Sequence, residues 1–387
     1  MKRLIRQRRR RLPIAPLLLR KTNHRGPADY VLLGAIFFIV AFGLAVLSSA
    51  TSVESFRDHN DSYHLFRHQL LFGVLPGLVL FFIFSRFDYR KLDRYTMYFF
   101  VAMMVLLLLV FIPGVGATWG TSNSWVTIAG LSLQTSEVAK LFLILVLASW
   151  FSQRGKEFTA DFWNGLFPFM LLLAVVSIPI ILQPDIGTLA VVVTIAGVMY
   201  FVAGARLRHL LLLAVLAVAS FVALIIKAPY RAERLLVFLN PEADPSGIGY
   251  HINQALLAVG SGGLFGLGFG QSRQKFAYLP QVMGDSIFAI LAEELGFFFS
   301  VMLIVAFLLI LIRGMRVAKT VDDAYGRYVS IGIVAWFTLQ AYLNIAAMVG
   351  LVPVTGIPLP FVSYGGTAFF SAMAAAGVLI NISRHAK

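Results

Sequence analysis

Residues 30–50 read YVLLGAIFFIVAFGLAVLSSA, a run with no charged side chain. A helix needs about 20 apolar residues to cross the hydrocarbon of a bilayer, and this run has that length. It outruns the apolar core of a signal peptide. Ser48-Ser49-Ala50 is only a faint cleavage signal, so the run is read as a retained span. Further apolar runs lie near 68–84, 97–113, 137–152, 163–182, 186–204, 207–226, 285–312, 328–350 and 361–383, which makes ten. Backbone polar groups find no water in lipid, so spanning segments are helices or the strands of a closed barrel. These runs are continuous rather than alternating, and helices are expected. Composition agrees: 59% of the chain is hydrophobic and 13% charged, where soluble domains carry about 25% charged residues. The mean hydropathy is +0.83. The expected fold class is an all-α integral membrane protein of about ten transmembrane helices. Gly73 and Gly77 form a GxxxG in the second run, which predicts close helix packing.

The net charge of +14 would suggest nucleic acid in a soluble protein. Here the cations sit in short loops between apolar runs, and their asymmetry sets orientation. With a cytoplasmic N-terminus, 24 of the 32 Lys/Arg fall on the cytoplasmic side. Arg57, Arg67, Lys227, Arg231, Arg234, Arg273 and Lys275 fall outside, and Lys140 lies within the fourth run. Ten spans return the C-terminus to the cytoplasm. Residues 1–29 are then a basic cytoplasmic tail that includes Arg8–Arg11, residues 30–383 the membrane domain, and 384–387 a short cytoplasmic tail. The basic tail is expected to touch anionic lipid, at about 1 kcal/mol per cation, and no nucleic-acid partner is expected. Cysteine is absent, which removes disulfides, thiolate metal sites and thiol nucleophiles. Three external segments stand out: 114–136, the break Gln183-Pro184-Asp185, and a large extracytoplasmic loop between helices 7 and 8, about 227–284. A loop of that length is more often functional than a mere connector.

The ionisable residues near these segments are the candidates for chemistry. Asp285 stands where the long loop meets the eighth run. It is read either as a general base at the headgroup plane or as a first-turn helix residue favoured by the dipole. Glu293 and Glu294 lie two turns deeper and call for a basic partner or a proton path. Glu137 and Lys140 share a helix face at i, i+3, so they either pair with each other or present Lys140 to a phosphate. Asp185 follows Gln183-Pro184 and caps a helix or lines a cavity between broken helices. Gly260-Ser261-Gly262-Gly263, with Gly266, Gly268 and Gly270, lacks the Gly-Lys-Ser/Thr ending of a phosphate loop. These glycines permit tight turns or close approach to a ligand, and Arg273 and Lys275 beyond them are candidate contacts for a diphosphate. Ser363 has no His nearby in sequence, so no hydrolase triad is supported. No metal-site spacing is present.

Together these segments resemble the SEDS family of bacterial cell-wall proteins, which includes FtsW, RodA and SpoVE. The resemblance runs from about Asp29 to Ser383. It is carried by Gln134-Thr135-Ser136-Glu137-Val138-Ala139-Lys140, Gln183–Thr188, Gly249–Gln254, Gly260–Gly263, Asp285–Phe288, Glu293–Gly296, Pro353–Phe361 and Ser363–Gly366. Residues 271–280 look more like FtsW than RodA. The resemblance implies a peptidoglycan glycosyltransferase at the outer face of the bacterial inner membrane, with lipid II as substrate. It implies a class B penicillin-binding protein as partner, alongside other divisome or elongasome membrane proteins. Asp285 matches the catalytic aspartate. The family's paired acid and base match Glu137 and Lys140 and its essential serine matches Ser363; with Asp185, Gln254, Arg273 and Lys275 these make the candidate substrate-binding set. No cofactor is required by the resemblance, though a divalent cation, Mg or Mn, stays open. The chain departs from the family pattern at Ser124, Thr135, Gln281, Met283 and Gly284. Two rival functions use the same residues: a lipid II flippase, and a non-catalytic scaffold for the transpeptidase.

Overall fold

The computed structural model describes residues 26–119, 122–128, 131–226, 237, 238, 240 and 247–386. The Arg8–Arg11 run and the loop cations Lys227, Arg231 and Arg234 lie outside the described residues. Among the described residues, nine helical segments are long and apolar enough to cross a membrane, and Ile186–Val202 is a further, shorter apolar helix. The helices are α1 (Tyr30–Ala50), α2 (Ser52–His59), α3 (His64–Gln69), α4 (Leu75–Arg86), α5 (Thr96–Leu109), α6 (Thr135–Ser152), α7 (Lys156–Thr159), α8 (Phe167–Leu182) and α9 (Ile186–Val202). They continue with α10 (Leu207–Ile226), α11 (Ile248–Ser261), α12 (Ile287–Thr320), α13 (Ala324–Met348) and α14 (Gly366–Ser383). A π-helical turn, Leu70–Val74, joins α3 to α4 into one span.

In α6, α13 and α14, 78%, 72% and 83% of the apolar stretch is buried inside protein, against 6% for α10. The first three therefore form the centre, and α10 stands at the edge. Lipid is as apolar as leucine, so helix association rests on close packing at small residues. Gly73 and Gly77 do this against α14: a Cβ would lie 3.1 Å from Gly366 Cα and 3.0 Å from the Phe369 ring, respectively. Gly377 answers from the other side, where a Cβ would fall 2.6 Å from Phe81 O. At one end of the bundle Gly26 N donates to Arg384 O (2.8 Å). Asp29, which caps α1 by accepting from Leu32 N, also pairs with Arg313 at 2.8 Å. The described chain ends thus meet at one end of the bundle.

Several boundaries differ from the hydropathy reading. The eighth span runs to Thr320 rather than 312, so Arg313, Arg316 and Lys319 are helical rather than loop residues. The last span begins at Gly366 rather than 361. Pro353, Pro358 and Pro360 lack backbone donors and hold the preceding stretch out of helix. The segment 114–136 carries a three-stranded antiparallel sheet, β1 (Gly116–Trp119), β2 (Ser122–Ile128) and β3 (Leu131–Gln134), and β3 runs straight into α6.

The glycine-rich stretch has a structural task. α12 is broken at Gly296, whose φ is +79°. The freed carbonyls of Glu293 and Glu294 accept from Leu267 N (2.9 Å) and Gly268 N (3.0 Å). In return, Phe297 N and Phe298 N donate to Gly263 O (2.9 Å) and Leu264 O (3.1 Å). The loop replaces the helix's own ladder, which satisfies backbone groups that lipid could not. A Cβ on Gly296 would sit 2.3 Å from Gly266 N, and one on Gly266 would sit 2.1 Å from Glu294 O. Gly296→Ala is therefore expected to lower thermal stability in detergent by at least ~2 kcal/mol, through positive-φ strain and the backbone clash together. A melting temperature equal to that of the parent would show that this junction is not tight.

Candidate active site

A cavity of about 2080 Å³ opens between α8, α9 and α10 and continues up to the loops. Its lower walls are apolar, with Phe169 and Leu173 of α8, Val193 of α9, and Leu213, Ala217 and Phe221 of α10. Its upper end is polar. Asp285, Asp185, Glu54, His59, His64, His68 and His251 line it, with Ser122, Ser124 and Gln134 from the sheet and Thr355 from the proline-rich segment. The sheet is held over this end because Asn123 N and Ser122 Oγ both donate to Gln183 O, each at 3.1 Å.

Asp285 is half-buried and precedes Ser286, the residue that caps α12. The cap is thus not Asp285 itself, whose carboxyl faces the cavity. A Cβ on Gly356 would come 4.0 Å from its Oδ2. The backbone around Asp285 is clamped by three side chains. Asn344 Nδ2 donates to Asp285 O (2.7 Å) and Ile357 O (2.8 Å). Ser363 Oγ donates to Gly284 O (2.6 Å) and accepts from Leu359 N (2.8 Å). Ser286 Oγ donates to Pro280 O (2.8 Å) and lies 2.7 Å from His251 Nε2. Ser363 is therefore a backbone holder, in keeping with its lack of a histidine base.

Asp185 takes both of its sequence readings at once. Its Oδ1 caps α9 by accepting from Thr188 N (3.0 Å), Ser136 Oγ donates to Oδ2 (3.3 Å), and the residue lines the cavity. Glu137 and Lys140 are brought together but not to the cavity. Lys140 Nζ donates to Glu137 Oε1 and Gln340 Oε1, both at 2.6 Å, and stands 5.0 Å from the Trp336 ring. Both side chains are at most 1% exposed, so Lys140 reaches no ligand directly. Gln340 passes the contact on, since its Nε2 donates to Pro358 O (2.8 Å). The buried pair thus supports the proline-rich segment that faces Asp285.

Lys275 and Arg273 do not line the cavity. Lys275 Nζ is buried against Glu294 Oε1 (3.0 Å), Ser49 Oγ (2.9 Å) and Gly270 O (2.7 Å). This supplies the basic partner that Glu294 called for, from the loop rather than from another helix. Glu293 accepts from Ser272 Oγ and from Arg273 N (3.0 Å), which pins the loop to α12. The Arg273 side chain is exposed on the other face of that loop. Gln254 sits half-buried on α11 outside the cavity lining. Of the variant positions, Ser124, Gln281, Met283 and Gly284 line the cavity with Asp285, while Thr135 Oγ1 donates to Ser124 O (3.3 Å) from behind the wall.

Gln340 and Asn344 were not legible as site residues, because an amide inside an apolar run gives no charge signal. Their i, i+4 spacing on one face of a spanning helix is the trace that was available. Asn344→Leu removes two donors while keeping the same branched heavy-atom skeleton and leaves two carbonyls unpaired, about 1–3 kcal/mol for each such group. The variant is expected to stay folded and to lose at least ~10-fold in turnover, since a shift of the cavity-lining backbone at Asp285 weakens proximity effects steeply. Turnover within twofold of the parent would remove Asn344 from the positioning set.

Among the described residues no group of three or more His, Cys, Asp and Glu is placed to hold a metal ion.

Comparison with known proteins gives a consistent answer. The family described as "Cell cycle protein" (FTSW_RODA_SPOVE) matches residues 30–387. Stage V sporulation protein E of Bacillus subtilis is 41% identical over 95% of this chain and 100% of its own length. A probable peptidoglycan glycosyltransferase FtsW of Geobacter metallireducens is 34% identical over 93% of this chain and 95% of its own. Among solved structures, a chain from a peptidoglycan synthase complex that coordinates polymerization and crosslinking superposes with a TM-score of 0.76. It is 30% identical and covers 92% of this chain and 98% of its own. The rod shape determining protein RodA of Thermus thermophilus gives a TM-score of 0.67 at 27% identity, over 92% of this chain and 97% of its own.

Proposed function

The chain belongs to the FtsW, RodA and SpoVE family of cell cycle proteins, and on that premise we propose that it is a peptidoglycan glycosyltransferase that polymerises lipid II at the outer face of the bacterial inner membrane. The observation that carries this reading is the continuous cavity whose apolar trough ends at a polar chamber holding Asp285. A polyprenyl chain matches the trough between α8, α9 and α10, and the sugars and diphosphate match the chamber. α10, with only 6% of its apolar stretch buried, is the lateral side from which a lipid enters.

In the proposed reaction Asp285 accepts the proton of the acceptor GlcNAc 4-hydroxyl. The hydroxyl oxygen attacks the anomeric carbon of the donor MurNAc, and lipid diphosphate departs. One displacement on an α-linked donor gives a β-linkage. The diphosphate leaves without needing a second carboxylic acid, unlike the leaving group of a glycosidase. Asn344 and Ser363 act by holding the backbone at Asp285 and Gly284, and the Glu137–Lys140 pair acts through Gln340 on Pro358 O, in the segment that faces Asp285. Asp185 is proposed to contact substrate at the chamber wall. No step is routed through a metal ion.

The cavity end of the bundle is proposed to face outward. Arg90 with Asp323 (3.6 Å) and Arg313 with Asp29 then mark the cytoplasmic end, in line with the cation asymmetry of the loops. A class B penicillin-binding protein is the proposed partner. The test is glycan synthesis from lipid II supplied in detergent to the purified protein and its cognate transpeptidase. Product chains support the enzyme. No product, together with lipid II movement across vesicles, would favour a flippase, because detergent leaves nothing to flip.

A further inference from the structure

The departing diphosphate needs a group that receives negative charge. Among the described residues that line the cavity there is no lysine or arginine. Lys140 and Lys275 are buried in ion pairs elsewhere, and Arg273 is exposed outside it. The described lining residues that can offer a ring N–H to a diphosphate are His59, His64, His68 and His251. His251 is turned by its Nε2 to Ser286 Oγ at 2.7 Å. His59 and His64 stack on each other, ring centroids 4.0 Å apart, at the exposed junction of α2 and α3.

His68 is held differently. It is half-buried, its ring packs on Phe72 at 4.7 Å, and its Nδ1 lies 3.0 Å from the Tyr364 hydroxyl. Its Nε2 has no hydrogen-bond partner among the described residues. The same turn that holds His68 also supports the base. Tyr364 N donates to Met283 O (2.8 Å), two residues before Asp285, and Gly365 N donates to Gln69 Oε1 (3.1 Å) beside His68. Burial pushes the Tyr364 phenol up from its ordinary value, so the hydroxyl keeps its proton. With that hydroxyl as donor, Nδ1 accepts and the ring proton resides on Nε2.

We propose that His68, oriented by Tyr364, binds the diphosphate of the lipid-linked substrate. This rests on the glycosyltransferase reading of the cavity. During transfer the acceptor oxygen bonds to the donor anomeric carbon and its proton passes to Asp285. The bond from that carbon to the diphosphate oxygen breaks, and the electron pair leaves on the oxygen. The Nε2–H of His68 donates to the diphosphate that gains this charge. His64, four residues earlier on the same helix face, adds a second contact nearer the rim.

The test is direct binding of undecaprenyl diphosphate, undecaprenol and inorganic pyrophosphate to the purified protein–transpeptidase complex. His68→Ala, His68→Arg and Tyr364→Phe are measured beside the parent. His68→Ala is expected to weaken undecaprenyl diphosphate at least ~10-fold, the loss of a charge-assisted contact, and to leave undecaprenol unchanged. His68→Arg retains most of the affinity. Tyr364→Phe, a positioning change, raises KM for lipid II more than it lowers kcat. Pyrophosphate competition that disappears in His68→Ala assigns the contact to the bare diphosphate. Competition by the lipid form alone assigns it to the lipid headgroup, and both support the site. Unchanged affinity of His68→Ala for undecaprenyl diphosphate overturns it. If His68→Ala does not fold, the site is decided by His68→Arg and Tyr364→Phe: parental affinity and KM in Tyr364→Phe with weakened binding in His68→Arg overturn it. The binding assay needs no turnover. A parent that binds through His68 yet makes no glycan defeats the glycosyltransferase reading and not this one.

Discussion

Asp285→Asn is expected to abolish glycan synthesis while leaving the protein folded. The amide keeps the shape of the carboxyl and cannot take a proton. General-base catalysis contributes roughly 10²–10⁴-fold, so the rate should fall by at least that factor. The fold should not follow, because the amide is isosteric with the carboxyl, can still accept from Ser286 Oγ (3.5 Å to Oδ1), and leaves the backbone clamps in place. Asn344 holds the Asp285 carbonyl and Ser363 holds that of Gly284. Melting temperature and lipid II affinity measured beside the rate separate the two effects. A variant that melts early would point to structure, and one that polymerises normally would remove Asp285 from the chemistry.

The second large effect is expected in the buried Glu137–Lys140 pair. Its side chains are 1% and 0% exposed. Removing one member strands a charge in the core, at about 3–5 kcal/mol, whereas removing both for apolar residues of similar volume is often neutral. Lys140→Met should therefore destabilise strongly, and Glu137→Met with Lys140→Met should recover most of that loss. Activity should not recover with stability. Without Lys140 the Gln340 amide loses one of its two donors, Trp336 Nε1 remaining, and Pro358 is held less firmly. The double variant is expected to remain at least ~10-fold below the parent in rate, as misplaced catalytic groups do. Thermal unfolding in detergent and initial rates on lipid II check both halves. Full activity in the stable double variant would reduce the pair to a filler of the core.

The spans could be read because lipid imposes one simple demand, a long apolar run with an internally satisfied backbone. The sheet of 114–136 could not. Its strands are four to seven residues long, and their side chains mix Ser, Trp and Leu without an alternation that separates faces. α11 escaped notice for a related reason, as it lies inside a loop that carries no spanning run. Asp285 could be singled out as a candidate because a carboxylate beside apolar helix is costly without a partner or a task, and the structure places it in the cavity lining. The placement of Lys275 was not. Its partners Glu294 and Ser49 are 19 and 226 residues away in sequence, and nothing local distinguishes a lysine facing a diphosphate from one buried under a loop. The glycine-rich stretch was read as conformational freedom. Only the broken helix at Gly296 reveals what that freedom serves.

In the proposed reaction one cavity holds the lipid tail between α8, α9 and α10 and the reacting sugars beside Asp285. The most direct measurement is photo-crosslinking of a lipid II analogue that carries one probe on its polyprenyl chain and another on its sugars, followed by mapping of the labelled residues. Chain labels are expected on Leu213, Ala217 and Phe221 and sugar labels around Gly284, Asp285 and Thr355. Labels confined to the outer surface of α10 or to the Arg90–Asp323 end would contradict this arrangement.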